Sequence, residues 1–403
     1  MYPKKLGQGL DWIKENIKVL LVSYILGGLA SGLYYGYEPK YIEALGASAL
    51  TIGLINSAVS LIRTLVIIPG SIIADTYGRK KIIVVFSFFS ASSLLIYAIS
   101  PNWKIFFLGM TISSVYRIYY PVLDALEADS IPEEKRGEGY SLVNLVPGLA
   151  GGLTPPIAGY IIARMGFISG MRLNYFIAFI LVLAMALTRF LWLKETYEAG
   201  PVDKSLWEAS LEGVRGLFGV WNDLPAGLWV LLLLMLLKAS LIPFFGVYVS
   251  LYVLNVVGIG SFEWGLVGSS YMLIGLVLGL PFGRLVDKFG RWWVMLLSFV
   301  FSLPFLVFMM RACGFVLVLG LFLVRSVGEL LWYPSVGAAQ ADLVPVEKRG
   351  RIMGLSGLMI EGISVVSSAL FGFLYSIDPF YSFYCAIVIE IFCVILVLIQ
   401  LNR

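Results

Sequence analysis

The sequence contains no histidine, only three cysteines and few charges: 13% of its 403 residues are Asp, Glu, Lys or Arg, against about 25% in a soluble domain. With 59% hydrophobic residues, the chain cannot cover a water-exposed surface with charge, which excludes a soluble globular protein. The same composition excludes a disordered chain. The apolar residues form long unbroken runs instead of the alternating segments of roughly 10 residues found in membrane β-barrels. This pattern predicts an all-α polytopic membrane protein.

The lack of histidine removes the commonest metal ligand and the side chain that titrates nearest neutral pH, so any proton chemistry must use carboxylates. The cysteines Cys313, Cys385 and Cys393 have no paired spacing, which argues against a disulfide framework or a zinc site. No phosphate-binding loop, dinucleotide fingerprint or nucleophile elbow occurs in the sequence. We therefore expect no enzyme activity, no cofactor, no metal and no nucleic-acid partner.

Twelve apolar segments are each long enough to cross a hydrocarbon core of about 30 Å. A polar stretch at 194–226 separates the first six from the last six, and its apolar residues recur at helical spacing, which favours an amphipathic surface helix. The predicted organisation is a six-helix bundle at 1–193, a linker at 194–226 and a second bundle at 227–403. The segments, called spans 1 to 12 below, are predicted at 18–45, 51–73, 80–99, 104–127, 137–163, 173–193, 227–256, 262–284, 291–310, 314–337, 350–376 and 379–401.

Basic residues are distributed unevenly between the two sides of the predicted membrane. If the N-terminus is cytoplasmic, the cytoplasmic segments carry 20 of the 29 lysines and arginines, and the outside loops carry five. Because basic residues concentrate in cytoplasmic loops, both termini are expected on the cytoplasmic side of the cell membrane. Four basic residues remain inside spans: Arg63, Arg117, Lys238 and Arg325.

The two halves of the chain repeat each other. The segment YYPVLDALEADSIPEEKRG at 119–137 and the segment WYPSVGAAQADLVPVEKRG at 332–350 agree at ten of 19 positions, at an offset of 213. A second pair of segments, at 71–79 and 283–291, matches at an offset of 212. Both segments fall in predicted cytoplasmic loops, so the repeats are related by an axis along the membrane normal.

These segments resemble the major facilitator superfamily, whose members carry G-x-L-x-D-x-x-G-R between spans 2 and 3. The copy at 283–291 fits fully, while the copy at 71–79 has Ser71 and Ile73 in place of the glycine and leucine. The resemblance implies two six-helix bundles around a central cavity, and a charge latch that holds the cytoplasmic side closed in one state. The residues it implies for that latch are Asp75, Gly78, Arg79, Asp129 and Arg136 in the first half, and Asp287, Gly290, Arg291, Asp342 and Arg349 in the second.

Two spans are similar to those of the drug:proton antiporter branch of this family. Arg117 lies near the middle of span 4, where proton-driven exporters often carry a basic residue. Span 5 partly resembles the motif G-x-x-x-G-P-x-x-G-G from Gly151 onward, with Pro155 and Tyr160 in place of two of its glycines. The resemblance implies antiport, although a kinked and closely packed helix would use the same residue types.

Ionisable residues inside a bilayer cost several kcal/mol, so those within spans are candidates for function. Glu361 has no lysine or arginine three or four residues away in its helix, and it is the first choice for the carboxylate that binds a proton. Glu329 and Asp124 are weaker choices, because Arg325 and Arg117 share their helix faces and can hold them ionised. Arg117 would then favour proton release electrostatically.

Three other acids are expected to matter less. Glu390 lies in the last span, which is peripheral in this family, and Glu38 and Glu127 lie near span ends where water can solvate them.

Aromatic residues are frequent in spans 1, 4, 7 and 10, which line the central cavity in this family. An aromatic cavity with a few charges suits an amphipathic organic solute. The residues predicted to line it are Arg63, Tyr34, Tyr37, Tyr116, Tyr120, Lys238, Phe245, Arg325, Trp332 and Tyr333.

Three hypotheses follow for the function. The leading one is a secondary active transporter that exports small amphipathic or drug-like molecules in exchange for protons, as a functional monomer in the lipid bilayer. In the second, the buried basic residues bind an organic anion or a sugar-like solute for symport or exchange. In the third, a membrane-embedded enzyme or sensor uses a transporter scaffold.

Overall fold

The computed structural model describes residues 12–13, 15–197, 226–344 and 349–401. Helices occupy all twelve predicted spans, and these described ranges contain no strand. Nine helical segments within them are long and apolar enough to cross a membrane; the helices of spans 1, 4 and 8 are not among the nine. The prediction of an all-α polytopic membrane protein is confirmed. The predicted surface helix of the linker lies outside the described residues.

The helices follow the predicted spans with shifts of a few residues. Those of the first half are Glu15–Gly32 and Glu38–Ala44 (span 1), Ala49–Tyr77 (span 2), Arg79–Ile99 (span 3), Trp103–Val115, Tyr116–Ile118 and Tyr119–Ser130 (span 4), Arg136–Leu153 and Pro155–Met165 (span 5), and Phe167–Trp192 (span 6). Those of the second half are Ala226–Ser240, Phe244–Tyr248, Val249–Tyr252 and Val253–Val257 (span 7), Ser261–Phe289 (span 8), Arg291–Met309 (span 9), Phe315–Leu343 (span 10), Arg349–Ile377 (span 11) and Pro379–Leu401 (span 12).

Several spans are interrupted where the sequence weakens the helix. Span 1 breaks between Gly32 and Glu38, and its second helix has Pro39 in its first turn. Span 5 breaks at Thr154, and Pro155 begins its second helix. Proline has no amide hydrogen to donate to the preceding turn, so it suits the start of a helix and interrupts a continuous one. Two stretches of span 7 instead widen into π-helix, at Phe244–Tyr248 and Val253–Val257.

The two halves meet along spans 2 and 11 and along spans 5 and 8. At one end of the molecule, glycines bring the backbones of spans 2 and 11 together. A Cβ placed on Gly53 would lie 2.6 Å from the Ser368 carbonyl oxygen and 3.0 Å from the Gly372 Cα, so only glycine fits. We call this end, which also holds residues 37 and 261, the latched end. The opposite end, which holds the repeated loops at residues 78–81 and 290–291, is the motif end.

Candidate functional site

Hydrogen bonds from the broken part of span 1 join the halves at the latched end. The Tyr37 hydroxyl donates to the carbonyl oxygen of Pro155 at 3.0 Å and, across the halves, to that of Ser261 at 2.8 Å. The Trp264 indole donates to the Gly36 carbonyl oxygen at 2.8 Å. Gly36 lies in the break of span 1, and Pro155 and Ser261 are the first residues of their helices, so the acceptors of these bonds lie where helices break or begin.

A polar cluster extends the latch toward the surface. The Asn255 side chain donates to Glu43 Oε1 at 2.9 Å and accepts a hydrogen bond from the Lys40 ammonium, and Lys40 also pairs with Glu43 at 2.6 Å. Tyr37, which was predicted to line the cavity, is 1% exposed and is part of this closure.

We expect Tyr37→Phe to loosen the latched end. The substitution keeps the ring but removes the single hydroxyl hydrogen that the Pro155 and Ser261 carbonyl oxygens share. One such bond is worth about 0.5–1.5 kcal/mol, so the equilibrium constant for latching should fall about 2- to 13-fold. In a variant without the native cysteines, Ser57→Cys should then react faster with a water-soluble maleimide, because Ser57 contacts the Val365 carbonyl oxygen between spans 2 and 11. Tyr160→Phe, at an exposed position of span 5, is the matched control. An unchanged labelling rate in Tyr37→Phe would show that the latch does not depend on these bonds.

At the motif end, the repeated segments place one arginine–aspartate pair in each half. Arg79 at the start of span 3 pairs with Asp129 at the end of span 4, and its guanidinium also donates to the Ala125 carbonyl oxygen at 3.0 Å. In the second half, Arg291 Nε lies 2.8 Å from Asp342 Oδ2. Gly78 and Gly290, which precede these arginines, have φ values of 81° and 87°, where a side chain would be strained.

The other residues predicted for the charge latch either form a weaker, exposed contact or have side chains outside the described part of the chain. Arg136 is exposed and pairs with Glu133 at 3.4 Å. The side chains of Asp75, Asp287 and Arg349 lie outside the described part of the chain.

The segment that follows span 6 covers the start of span 3, and this contact was not predicted from the sequence. The Glu195 carboxylate accepts hydrogen bonds from the amides of Arg79 at 3.0 Å and Lys80 at 2.9 Å, and the Tyr197 ring lies 5.2 Å from the Arg79 guanidinium. A carboxylate is stabilised at a helix N-terminus, because the first amides there have no helical acceptor. The start of the linker is therefore fastened to the first arginine–aspartate pair.

The predicted pair in span 10 lies among aromatic rings. Arg325 Nη2 is 2.9 Å from Glu329 Oε1, and the guanidinium carbon lies 3.7 Å from the centre of the Phe245 ring. Tyr271 and Phe305 also approach that guanidinium, at 5.7 and 5.6 Å. The aromatic faces stabilise the cation, so this buried arginine is held by both a carboxylate and π-systems.

Lys238 forms a second buried pair, with a partner that sequence analysis placed at the periphery. Its ammonium lies 2.8 Å from Glu390 Oε1, and Glu390 is fully buried. Ser302 donates to the other carboxylate oxygen at 3.2 Å, and the ammonium lies 5.3 Å from the Phe299 ring and 5.2 Å from the Trp332 ring. Lys238 and Trp332, both predicted in the cavity, therefore lie inside the second half.

Glu38 was interpreted as a solvated residue near a membrane surface, but the structure places it among other side chains. It is half-buried and accepts a hydrogen bond from the Tyr175 hydroxyl at 3.1 Å. Tyr34 stacks on Tyr175 with ring centres 5.1 Å apart, and Arg63 is close enough to Glu38 to attract it electrostatically. Glu38 thus lies among polar and aromatic side chains of the first half, next in sequence to Tyr37.

Glu127 was also interpreted as solvated, but it is 5% exposed and accepts a hydrogen bond from Tyr24. Beside it lies Arg189, which sequence analysis counted with the cytoplasmic basic residues although it is 1% exposed. Arg189 donates to the Ser87 hydroxyl at 2.8 Å, and its guanidinium lies 5.6 Å from the ring of Tyr119. A charge near a span end is therefore no guarantee of contact with water.

The remaining predicted residues are spread over both halves. Tyr116 and Tyr120 pack in one ring cluster with Tyr119. Tyr120 and its repeat counterpart Tyr333 are exposed, and Asp124 is exposed as well. Glu361 is half-buried and engaged with neighbouring groups, as is Arg63. The side chain of Arg117 lies outside the described part of the chain.

Comparisons with known proteins agree with this architecture. The chain matches the Major Facilitator Superfamily over residues 20–266 and 239–403. It is 22% identical to an uncharacterised MFS-type transporter of Methanocaldococcus jannaschii, over 90% of this chain and 92% of that protein. It is 26% identical to a multi-drug resistance efflux pump PmrA homologue of Lactococcus lactis, over 90% of this chain and 88% of that protein.

Among solved structures, the chain is similar to a bacterial homologue of the human lysosomal transporter Spinster in an inward-facing, occupied conformation. The TM-score is 0.75 at 13% identity, and the match covers 99% of this chain and 98% of that chain. At this identity the likeness concerns the fold alone. Because the family match covers nearly the whole sequence, the chain belongs to the major facilitator superfamily and is a multi-pass membrane transporter.

Proposed function

We propose that this transporter exports small amphipathic organic molecules in exchange for protons, by alternating access. The observation that carries the proposal is the pair of Arg325 and Glu329 held against Phe245 and Tyr271. A carboxylate beside aromatic faces suits a ligand with an apolar body and a cationic group. The same carboxylate can exchange a proton, so ligand and proton would compete for one group. The relatives that bear multidrug names support this direction.

Alternating access requires a closure at each end that can open while the other holds. The latched end is joined across the halves by Tyr37 and Trp264. We propose that the protein lies in the plasma membrane with the latched end facing outward and both termini in the cytoplasm. The cavity would then load from the cytoplasm. The halves at 1–193 and 227–403 would then rock about the linker at 194–226, as a monomer.

A second candidate function is the exchange of organic anions. It is favoured by the Arg325 guanidinium, whose buried Nε has no hydrogen-bond partner among the described residues. A carboxylate ligand could take that donor, because guanidinium groups bind carboxylates through two parallel hydrogen bonds.

Flux measurements in proteoliposomes distinguish these functions. We expect ethidium, a cationic aromatic dye, to accumulate against its own concentration gradient only when a pH gradient is imposed. This accumulation should be lost when the pH gradient is dissipated. A panel of aromatic carboxylates tests the second function in the same vesicles. Carboxylate exchange without ethidium flux would replace the first function by the second. If neither the aromatic carboxylates nor ethidium and a wider panel of organic cations show saturable flux, both proposed functions are contradicted.

A further inference from the structure

The buried ion pair of Lys238 and Glu390 carries a large desolvation cost in the interior of a membrane protein. The Glu390 side chain is fully buried and that of Lys238 is 11% exposed, yet both belong to helices rich in leucine, isoleucine and valine. Burying two charges costs more than their attraction returns unless the geometry is good, and apolar residues of similar volume often serve packing equally well or better. Packing alone therefore gives no reason for a lysine and a glutamate at these positions.

The surroundings of the pair keep the lysine charged and in place. Ser302 completes the bonding of Glu390, while Phe299 and Trp332 present their rings to the ammonium. These contacts come from spans 9, 10 and 12, so four helices including span 7 fix one positive charge.

That charge lies next to the candidate site. Trp332, which contacts the ammonium, is three residues after Glu329 on the same helix, and residues three apart share a helix face. Lys238 interacts electrostatically with Glu329 and Arg325 as well as with Glu390. The charges thus alternate in sign from Glu390 through Lys238 and Glu329 to Arg325, and they sum to zero when all four are ionised.

Other groups around Glu329 can be named from the helices packed on span 10. Span 7 contributes Lys238, span 8 contributes Tyr271, and span 10 itself contributes Arg325 and Tyr333. The side chains that span 9 adds near the cluster, Phe299, Ser302 and Phe305, carry no charge. Among the contacts described for these helices, Lys238 is thus a cation that reaches Glu329 from another helix, and its ammonium is bonded to Glu390.

We infer that Lys238 and Glu390 are positioning residues for proton exchange at Glu329: Glu390 holds the ammonium in place, and the ammonium sets the pH at which Glu329 takes up its proton. When a proton from water binds the Glu329 carboxylate, the cluster passes from a net charge of zero to +1, and Arg325 loses its ionic partner. This inference rests on the proposed proton coupling, which it assigns to Glu329.

The two partners of the ion pair should then act in opposite directions. In Glu390→Gln, Lys238 keeps Glu329 as its remaining carboxylate, so the ionised form of Glu329 is favoured and proton uptake needs a lower pH. In Lys238→Met, the cation is gone, so proton uptake occurs at a higher pH. A nearby charge of this kind moves a titration by about one pH unit. A merely structural pair would give losses of the same sign in both variants.

The measurement is an infrared titration of the purified full-length protein in liposomes. The carboxyl band of Glu329 is identified by its loss in Glu329→Gln, and its midpoint is followed in each variant without any transported compound. Lys135→Met, which removes one partner of an exposed pair with Glu138, is the control and should leave the midpoint unchanged. Because the titration needs no flux, it tests the role of Lys238 and Glu390 separately from the flux measurements that test the proposed function.

Opposite shifts in Glu390→Gln and Lys238→Met support the inference. Equal midpoints, or shifts of one sign, overturn it. If a single variant does not fold, Lys238→Met/Glu390→Met removes both buried charges together and should fold. Its midpoint should move to higher pH by less than about one unit, because the nearer cation outweighs the more distant anion. An unmoved midpoint in this double variant also overturns the inference.

Discussion

Replacing Glu329 with glutamine is expected to abolish ethidium accumulation driven by a pH gradient while sparing downhill flux. Glutamine keeps the shape of the side chain and can still accept a hydrogen bond from Arg325, but it cannot release a proton. The coupling free energy is then lost, and coupling of this kind is typically worth up to roughly 100-fold in a ligand's distribution. Accumulation at a fixed pH gradient should therefore fall by about that factor, whereas exchange of ethidium across equal pH should stay within several-fold of the unmodified protein.

Glu361→Gln and Asp124→Asn are measured beside it, because the sequence placed Glu361 first among the coupling carboxylates. Glu134→Gln, at an exposed position of the loop between spans 4 and 5, serves as the neutral control. If Glu329→Gln accumulates ethidium normally and Glu361→Gln does not, coupling belongs to span 11. Full accumulation in all three variants would mean that the carrier is not driven by protons.

Replacing Arg79 with glutamine is expected to reduce transport by roughly 10- to 100-fold, with insertion and folding largely kept. The change removes the ion pair with Asp129, the bond to the Ala125 carbonyl oxygen and the stacking of Tyr197. Arg79 is mostly buried, so its bonds are stronger than those of an exposed pair, and a few kcal/mol are enough to displace a two-state equilibrium by that factor. Initial flux per reconstituted molecule is measured, with circular dichroism and the elution volume as checks of the fold.

Exchanging the two charged residues tests directly whether the ion pair between Arg79 and Asp129 is required. Arg79→Asp/Asp129→Arg should recover part of the lost flux, because the attraction between spans 3 and 4 is restored in reverse. Lys135→Gln in the adjacent loop is the control, since Lys135 pairs only with its near neighbour Glu138 among the described contacts. Normal flux in Arg79→Gln would show that the motif-end pair is not part of the gating equilibrium.

The fold could be predicted from the sequence because each span satisfies its own backbone and must be apolar over a fixed length. The internal repeat then indicated the family, and it placed Arg79 with Asp129 and Arg291 with Asp342. The break in span 1 also had a local signal, since Gly36 and Pro39 lie within four residues of each other. The prediction of one continuous span over 18–45 overlooked that signal.

The contacts of the site were harder to predict, because they join residues distant in sequence. Glu38 and Tyr175 are 137 residues apart, and Lys238 and Glu390 are 152 residues apart. Neither pair follows helix spacing, so periodicity cannot find it, whereas the pair of Arg325 and Glu329 is visible at four residues. Arg189 was misplaced for a related reason: its position near a span end predicts solvent, and only packing against Ser87 and Tyr119 shows that it is buried.

The separation of Lys238 from Glu390 has a consequence for biogenesis. At a synthesis rate of 5–20 residues per second, Glu390 leaves the ribosome about 8–30 s after Lys238. During that interval span 7 must enter the bilayer with a lysine whose final partner does not yet exist. We therefore expect the nascent second half to be least stable just before its last helix is inserted. Chains truncated before span 12 should be degraded faster than chains truncated within the linker.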